Sequence, residues 1–171
     1  MNTAKVSKQP DGLMVEFERL LSHPIEKVWE AITNPDILRI WMTEIEMDFK
    51  PGGKMKLYFQ DANRTVTYGQ IVTIEKPTKF EWLWENEFAS WQLEKISDQQ
   101  TRLHFKYSRL DEKYAYSAPA GWHVVLDQLE TVLNGRTEPY PFGADLQPTP
   151  EAFALQEIYK KQFEHLLPAA Q

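Results

Sequence analysis

Side-chain catalysis needs a base, a nucleophile or a metal, so the four histidines and the serines come first. His23 stands before Pro24, where a turn or a helix cap is its plain use. His104 falls on the polar side of an alternating run with Leu103 and Phe105. His123 lies beside an apolar helical stripe, and His165 lies in the tail. No two have the His-x-x-x-His spacing of a metal pair. None of Ser7, Ser22, Ser90, Ser97, Ser108 and Ser117 sits in a Gly-x-Ser-x-Gly elbow. Cysteine is absent, which removes thiolate nucleophiles, thiolate metal sites and disulfides. Pro51-Gly52-Gly53 lacks the Lys-Ser/Thr of a phosphate loop and reads as a turn. No catalytic residue, metal ligand or cofactor is therefore assigned.

The aromatic residues say more. They make up 13% of the chain and include six Trp. Phe59, Tyr68, Trp82, Trp84, Trp91, Tyr107 and Trp122 could all point into one space. Trp41 and Leu126 join them as apolar wall, and Arg19 and Gln70 are polar residues in phase with apolar faces. A few polar groups among apolar walls are what orients a ligand in a binding cavity. The plain alternative is a filled core in which Tyr hydroxyls and indole N–H groups find local partners. If the chain were an enzyme, Tyr68, Tyr107 and Arg19 would be the residues available as acid or base.

The elements that must position these side chains can be read from periodicity. Leu13, Val15, Phe17 and Leu21 alternate with Glu16 and Glu18, the pattern of a half-buried strand. Pro24 then opens a helix carrying Val28, Trp29 and Ile32. Asn34 is placed to cap a second helix carrying Leu38 and Trp41. From Glu44 to Arg109 the pattern is strand throughout, broken at Pro51-Gly52-Gly53, Asp61-Ala62-Asn63 and Lys76-Pro77. One strand is read as Val66, Tyr68, Gln70, Val72 and Ile74, with Gly69 where the sheet bends or backbone comes close. Short turns predict an antiparallel meander. Trp122, Leu126, Leu129 and Leu133 change the period to that of a long amphipathic helix, stopped at Gly135. Thr149-Pro150-Glu151 marks a further helix over about residues 150 to 166.

With 171 residues, 42% of them hydrophobic and 26% charged, the chain suits one globular domain. Its net charge of −6 and the lack of a Lys/Arg cluster argue against nucleic acid. The polar N-terminus shows no signal peptide, and no run reaches the roughly 18 apolar residues of a membrane span. A cytoplasmic protein without membrane insertion is expected. Residues 1–12 are expected to be a flexible N-terminus, 13–135 the domain and 136–171 an extension.

The order of these motifs resembles the START-like, or SRPBCC, superfamily. Within it the chain is similar to the bacterial family related to the activator of the heat-shock protein 90 ATPase. Phe17-Glu18-Arg19-Leu20-Leu21-Ser22-His23-Pro24-Ile25-Glu26-Lys27-Val28-Trp29 resembles the opening strand and helix start. Asn34-Pro35-Asp36-Ile37-Leu38-Arg39-Ile40-Trp41 resembles the second helix. Pro51-Gly52-Gly53, Gly69, Glu75-Lys76-Pro77, Thr101-Arg102-Leu103-His104-Phe105 and Gly121-Trp122 follow at family-like spacing. The second helix departs from many relatives in having Trp41 followed by Met42 instead of a second Trp.

The resemblance implies an α+β helix-grip fold. Six to seven strands would curve around a long C-terminal helix, with two short helices after the first strand. It implies a small hydrophobic or aromatic ligand held between sheet and helix. A protein-interaction module like the co-chaperone relatives, and a cyclase or hydrolase acting on an aromatic substrate, are the alternatives. The place to look is between Trp122 and the Trp82, Trp84 and Trp91 strands. The extension could cover the cavity mouth, lie across the sheet or support a homodimer.

Overall fold

The computed structural model of the protein describes residues 3–59, 62–139 and 150–166. Along the chain run β1 (Lys5–Gln9), β2 (Gly12–Leu21), α1 (Ile25–Thr33), α2 (Pro35–Trp41), β3 (Glu44–Met47) and β4 (Lys54–Tyr58). Then come β5 (Val66–Glu75), β6 (Lys79–Trp84), β7 (Glu87–Ser97), β8 (Gln100–Leu110), a 3-10 turn at Glu112–Tyr114, α3 (Ser117–Leu133) and α4 (Pro150–Leu166). The eight strands form one antiparallel sheet ordered β1-β2-β8-β7-β6-β5-β4-β3. The meander expected from the short turns runs from β3 to β8, and β2 then pairs with β8. Long α3 packs on the inner face, where Trp122 lies 4.7 Å from the Phe105 ring. This is the helix-grip fold.

Two features differ from the sequence reading. Lys5–Gln9, expected to be flexible, is an added edge strand paired with β2, so the sheet has eight strands and the two short helices follow the second. Its polar composition hid it, because an edge strand need bury only one side: Val6 is buried while Lys8 and Gln9 are exposed. The second difference is the phase of β5. Thr67 and Gly69 pair with buried Leu57 and Met55, so the inner residues are Thr67, Gly69 and Ile71. Tyr68, Gln70 and Val72 stand on the outer face, and a register shift falls between Ile71 and Thr73. Gly69 faces a crowded spot: an added Cβ would lie 2.4 Å from the Leu83 carbonyl oxygen.

Between α1–α2 and the sheet the core is filled. Trp91 stacks on Phe105 at 4.0 Å and meets Trp41 edge-on at 5.7 Å. The Trp41 indole donates to the Ala31 carbonyl at 2.9 Å, which satisfies its one polar atom. Asn34 caps α2 through the Asp36 N–H, as its position predicts.

The tail helix α4 contacts α3 and β1. Leu155 and Tyr159 are its buried residues. The Tyr159 hydroxyl accepts from the Ala4 N–H at 2.8 Å and lies 2.8 Å from His123 Nδ1. His123 Nε2 faces the Asp127 carboxylate at 3.7 Å, which favours the ring proton on Nε2 and leaves Nδ1 to accept the Tyr159 hydroxyl proton. Arg19 Nη2 reaches the same carboxylate at 3.8 Å. His123 is thus buried, because α4 covers the side of α3 that the helical stripe alone left open. Pro141, Gly143 and Pro148, whose spacing predicts a loop, lie outside the described residues.

Candidate ligand-binding site

At one end of α3 the inner space opens into a cavity of about 690 Å³. Its walls come from four places. The sheet and the residue that follows β4 contribute Trp84, Glu87, Tyr107 and Phe59; the end of α2 contributes Met42 and Thr43; Leu110 and Tyr114 close the β8 end; and α3 presents Gly121, Trp122 and Val125. Trp84 and Trp122 meet edge-on at 6.1 Å, and Tyr107 lies 5.0 Å from Trp122. The volume suits a drug-sized molecule, and the walls are apolar and aromatic around a few polar atoms.

One carboxylate stands among these rings. Trp91 and Ala89 point inward on β7, and period two places Glu87 on the same face, opposite Trp84. Burial pushes the Glu87 acid above its ordinary range, and nearby Asp111 adds to this. A hydrogen bond from Tyr107 works the other way. Burial, followed by the Glu87 charge, raises the Tyr107 phenol well above its usual value, so it stays protonated and donates. The Thr43 hydroxyl is spent on the Tyr58 carbonyl. No Lys, Arg or His is among the described lining residues, so a developing anion would find no cation there. The arrangement can grip an apolar body and accept a proton or hydrogen bond at Glu87. Among the described residues no cluster of His, Asp or Glu could hold a metal ion.

Of the residues singled out from the sequence, Phe59, Trp84, Tyr107 and Trp122 line the cavity. Trp41, Trp82, Trp91 and Leu126 are buried in packed core; around Trp82 and Trp91 there is no room for a water molecule. Arg19 is buried under α3 in the polar cluster with Asp127. Tyr68 is exposed on the outer face, and the Gln70 amide donates to the Gly52 carbonyl at 3.3 Å. Glu87 was legible in the alternation Trp91, Ala89, Glu87, but its place beside the Glu85-Asn86 turn disguised it as a surface acid. No described residue of α4 lines the cavity.

Gly121 sits inside α3, where glycine costs about 0.5–1 kcal/mol relative to alanine. An added Cβ there would meet nothing within 4 Å, so packing does not require glycine; the missing side chain leaves cavity space. Gly121→Ala is expected to stabilise the protein by ~0.5–1 kcal/mol in urea unfolding. A destabilised variant would show that the position is tighter than its surroundings indicate.

Comparison with known proteins places this geometry. Residues 22–134 match the family model described as Activator of Hsp90 ATPase homolog 1-like protein. No curated protein matches the chain. Among solved structures, a conserved protein of unknown function from Enterococcus faecalis is similar at 19% identity. It covers 96% of this chain and 92% of its own, with a TM-score of 0.77. CalU16 from Micromonospora echinospora is similar at 20% identity, covering 97% and 96%, with a TM-score of 0.69. The AHSA1-like protein from Aeromonas hydrophila, at 18% identity and a TM-score of 0.63, covers 71% of this chain and 92% of its own. The first two alignments leave almost none of this chain unmatched, so they take in the α4 region as well as the grip. Among the described residues no helix is long and apolar enough to cross a membrane. With its helix-grip sheet, its closing helix and a family match over most of its length, the chain belongs to the Activator of Hsp90 ATPase homolog 1-like family.

Proposed function

We propose that this protein binds a small hydrophobic or aromatic ligand in the cavity between the sheet and α3, within the cytoplasm and without covalent chemistry. The observation that carries this reading is the contrast inside one core. The α1–α2 side is packed shut around Trp82 and Trp91, while the Trp84–Trp122 end holds about 690 Å³. An apolar, ring-lined cleft of this size, open at one end of a packed core, is the form that small-molecule sites take. Gly121 lines the cleft, and an added Cβ there would meet nothing within 4 Å, so a larger residue at this wall is tolerated by its neighbours.

Titration with the neutral fluorescent probe N-phenyl-naphthylamine tests it. Saturable binding at one site is expected, with quenching of Trp fluorescence through Trp84 and Trp122. Gly121→Leu should weaken binding roughly tenfold or more while the variant stays folded, because the added side chain occupies the cavity. Binding that never saturates, or that Gly121→Leu leaves unchanged, overturns the assignment.

A further inference from the structure

We propose that the cavity takes an organic cation, a ligand with a flat apolar body and a protonated amine that Glu87 and the surrounding rings receive. This inference rests on the cavity being a ligand site. Its described lining has one charged side chain, the Glu87 carboxylate, and five aromatic rings: Phe59, Trp84, Tyr107, Tyr114 and Trp122. Rings around a carboxylate suit an ammonium, since the ring faces carry negative charge and the carboxylate completes the pair. Tyr107 donates to Glu87, which orients the carboxylate and leaves it further lone pairs.

Charge excludes the opposite class. An anionic ligand would face a half-buried carboxylate with no Lys, Arg or His among the described lining residues to offset it. Asp111 deepens the negative potential, and the net charge of −6 favours encounter with cations. A neutral ligand leaves Glu87 desolvated and without a counter-charge. The raised pKa of Glu87 reflects that cost, and a bound ammonium would relieve it.

Three matched probes separate the possibilities: naphthylmethylamine, naphthylmethanol and naphthoic acid, each titrated into wild type and Glu87→Gln. At neutral pH the amine should bind roughly 10-fold or more tightly than the alcohol, and the acid least. Glu87→Gln should abolish the amine's advantage while the alcohol's affinity holds. In wild type the advantage should fade on acidification as Glu87 takes up its proton, beginning above the ordinary value of 4.5. This titration keeps the test decisive even if the variant folds poorly. Equal affinities for the three probes, or a preference that survives Glu87→Gln, overturn the cation assignment and leave the cavity standing. Failure of all three to bind saturably overturns both.

Discussion

Trp91→Ala is expected to cost about 3–5 kcal/mol, the range for truncating a large aromatic in a packed core. Trp91 is 1% exposed, stacks on Phe105, and meets Trp41 and Trp122 edge-on. Its neighbours belong to β8, α2 and α3, so the vacated volume cannot close by moving one side chain. A small domain holds only about 5–15 kcal/mol in total, so the variant should unfold at much lower urea and lose near-ultraviolet dichroism. Naphthyl probe affinity should fall only through loss of folded protein, because Trp91 does not line the cavity. A loss under about 1 kcal/mol, with the dichroism retained, would mean that Trp91 borders open space rather than packed core.

That distinction between core and cavity was the hardest to draw from the sequence. Trp82, Trp84 and Trp91 share one inward face, and alternation identifies the face correctly. Alternation carries no information along the strand axis, yet that axis decides the matter: Trp84 reaches the open end and Trp82 the closed one. The same limit explains β5. Every second residue from Val66 to Ile74 is hydrophobic or aromatic except Gln70, so the wrong phase looked the better one. The register shift beyond Ile71 lets Ile71 and Ile74 both pack inward, which a strict period of two forbids. Elements with strong local signals were readable: the Asn34 cap, the period change into α3 and the helix opening at Pro150.

Two sides of α3 do different work. Its first turns present Ala118, Gly121 and Trp122 to the cavity, with a glycine where alanine would be more stable. Its next turn carries His123 and Asp127 into a polar cluster roofed by α4. The phase of His123 against the apolar stripe left it unassigned, because the partner that buries it comes from Tyr159, 36 residues on. Arg19 fits the same picture. A cation on a strand's apolar face found its carboxylate on α3 rather than in a ligand.

Tyr159→Phe should therefore loosen the tail without altering the grip. The substitution keeps the ring and removes one hydroxyl, leaving the Ala4 N–H and His123 Nδ1 unsatisfied, at roughly 1–3 kcal/mol for each buried group. Burial pushes the Tyr159 phenol up to about 12, so it remains a donor throughout the accessible pH range. Burial chiefly, and Arg19 in addition, pushes His123 below its ordinary value, while Asp127 opposes them. The unfolded chain takes up this proton near pH 6.5, before the folded protein does. The contribution of neutral His123 is complete above about pH 6.5 and is lost as the pH falls toward its folded value. A protonated His123 cannot accept from Tyr159, so the gap between wild type and Tyr159→Phe should be widest at pH 8 and narrow on acidification. Urea titrations at several pH values would measure the gap, and amide exchange would place the loss in β1 and α4. A gap independent of pH would mean that the hydroxyl serves Ala4 alone and that His123 has another partner.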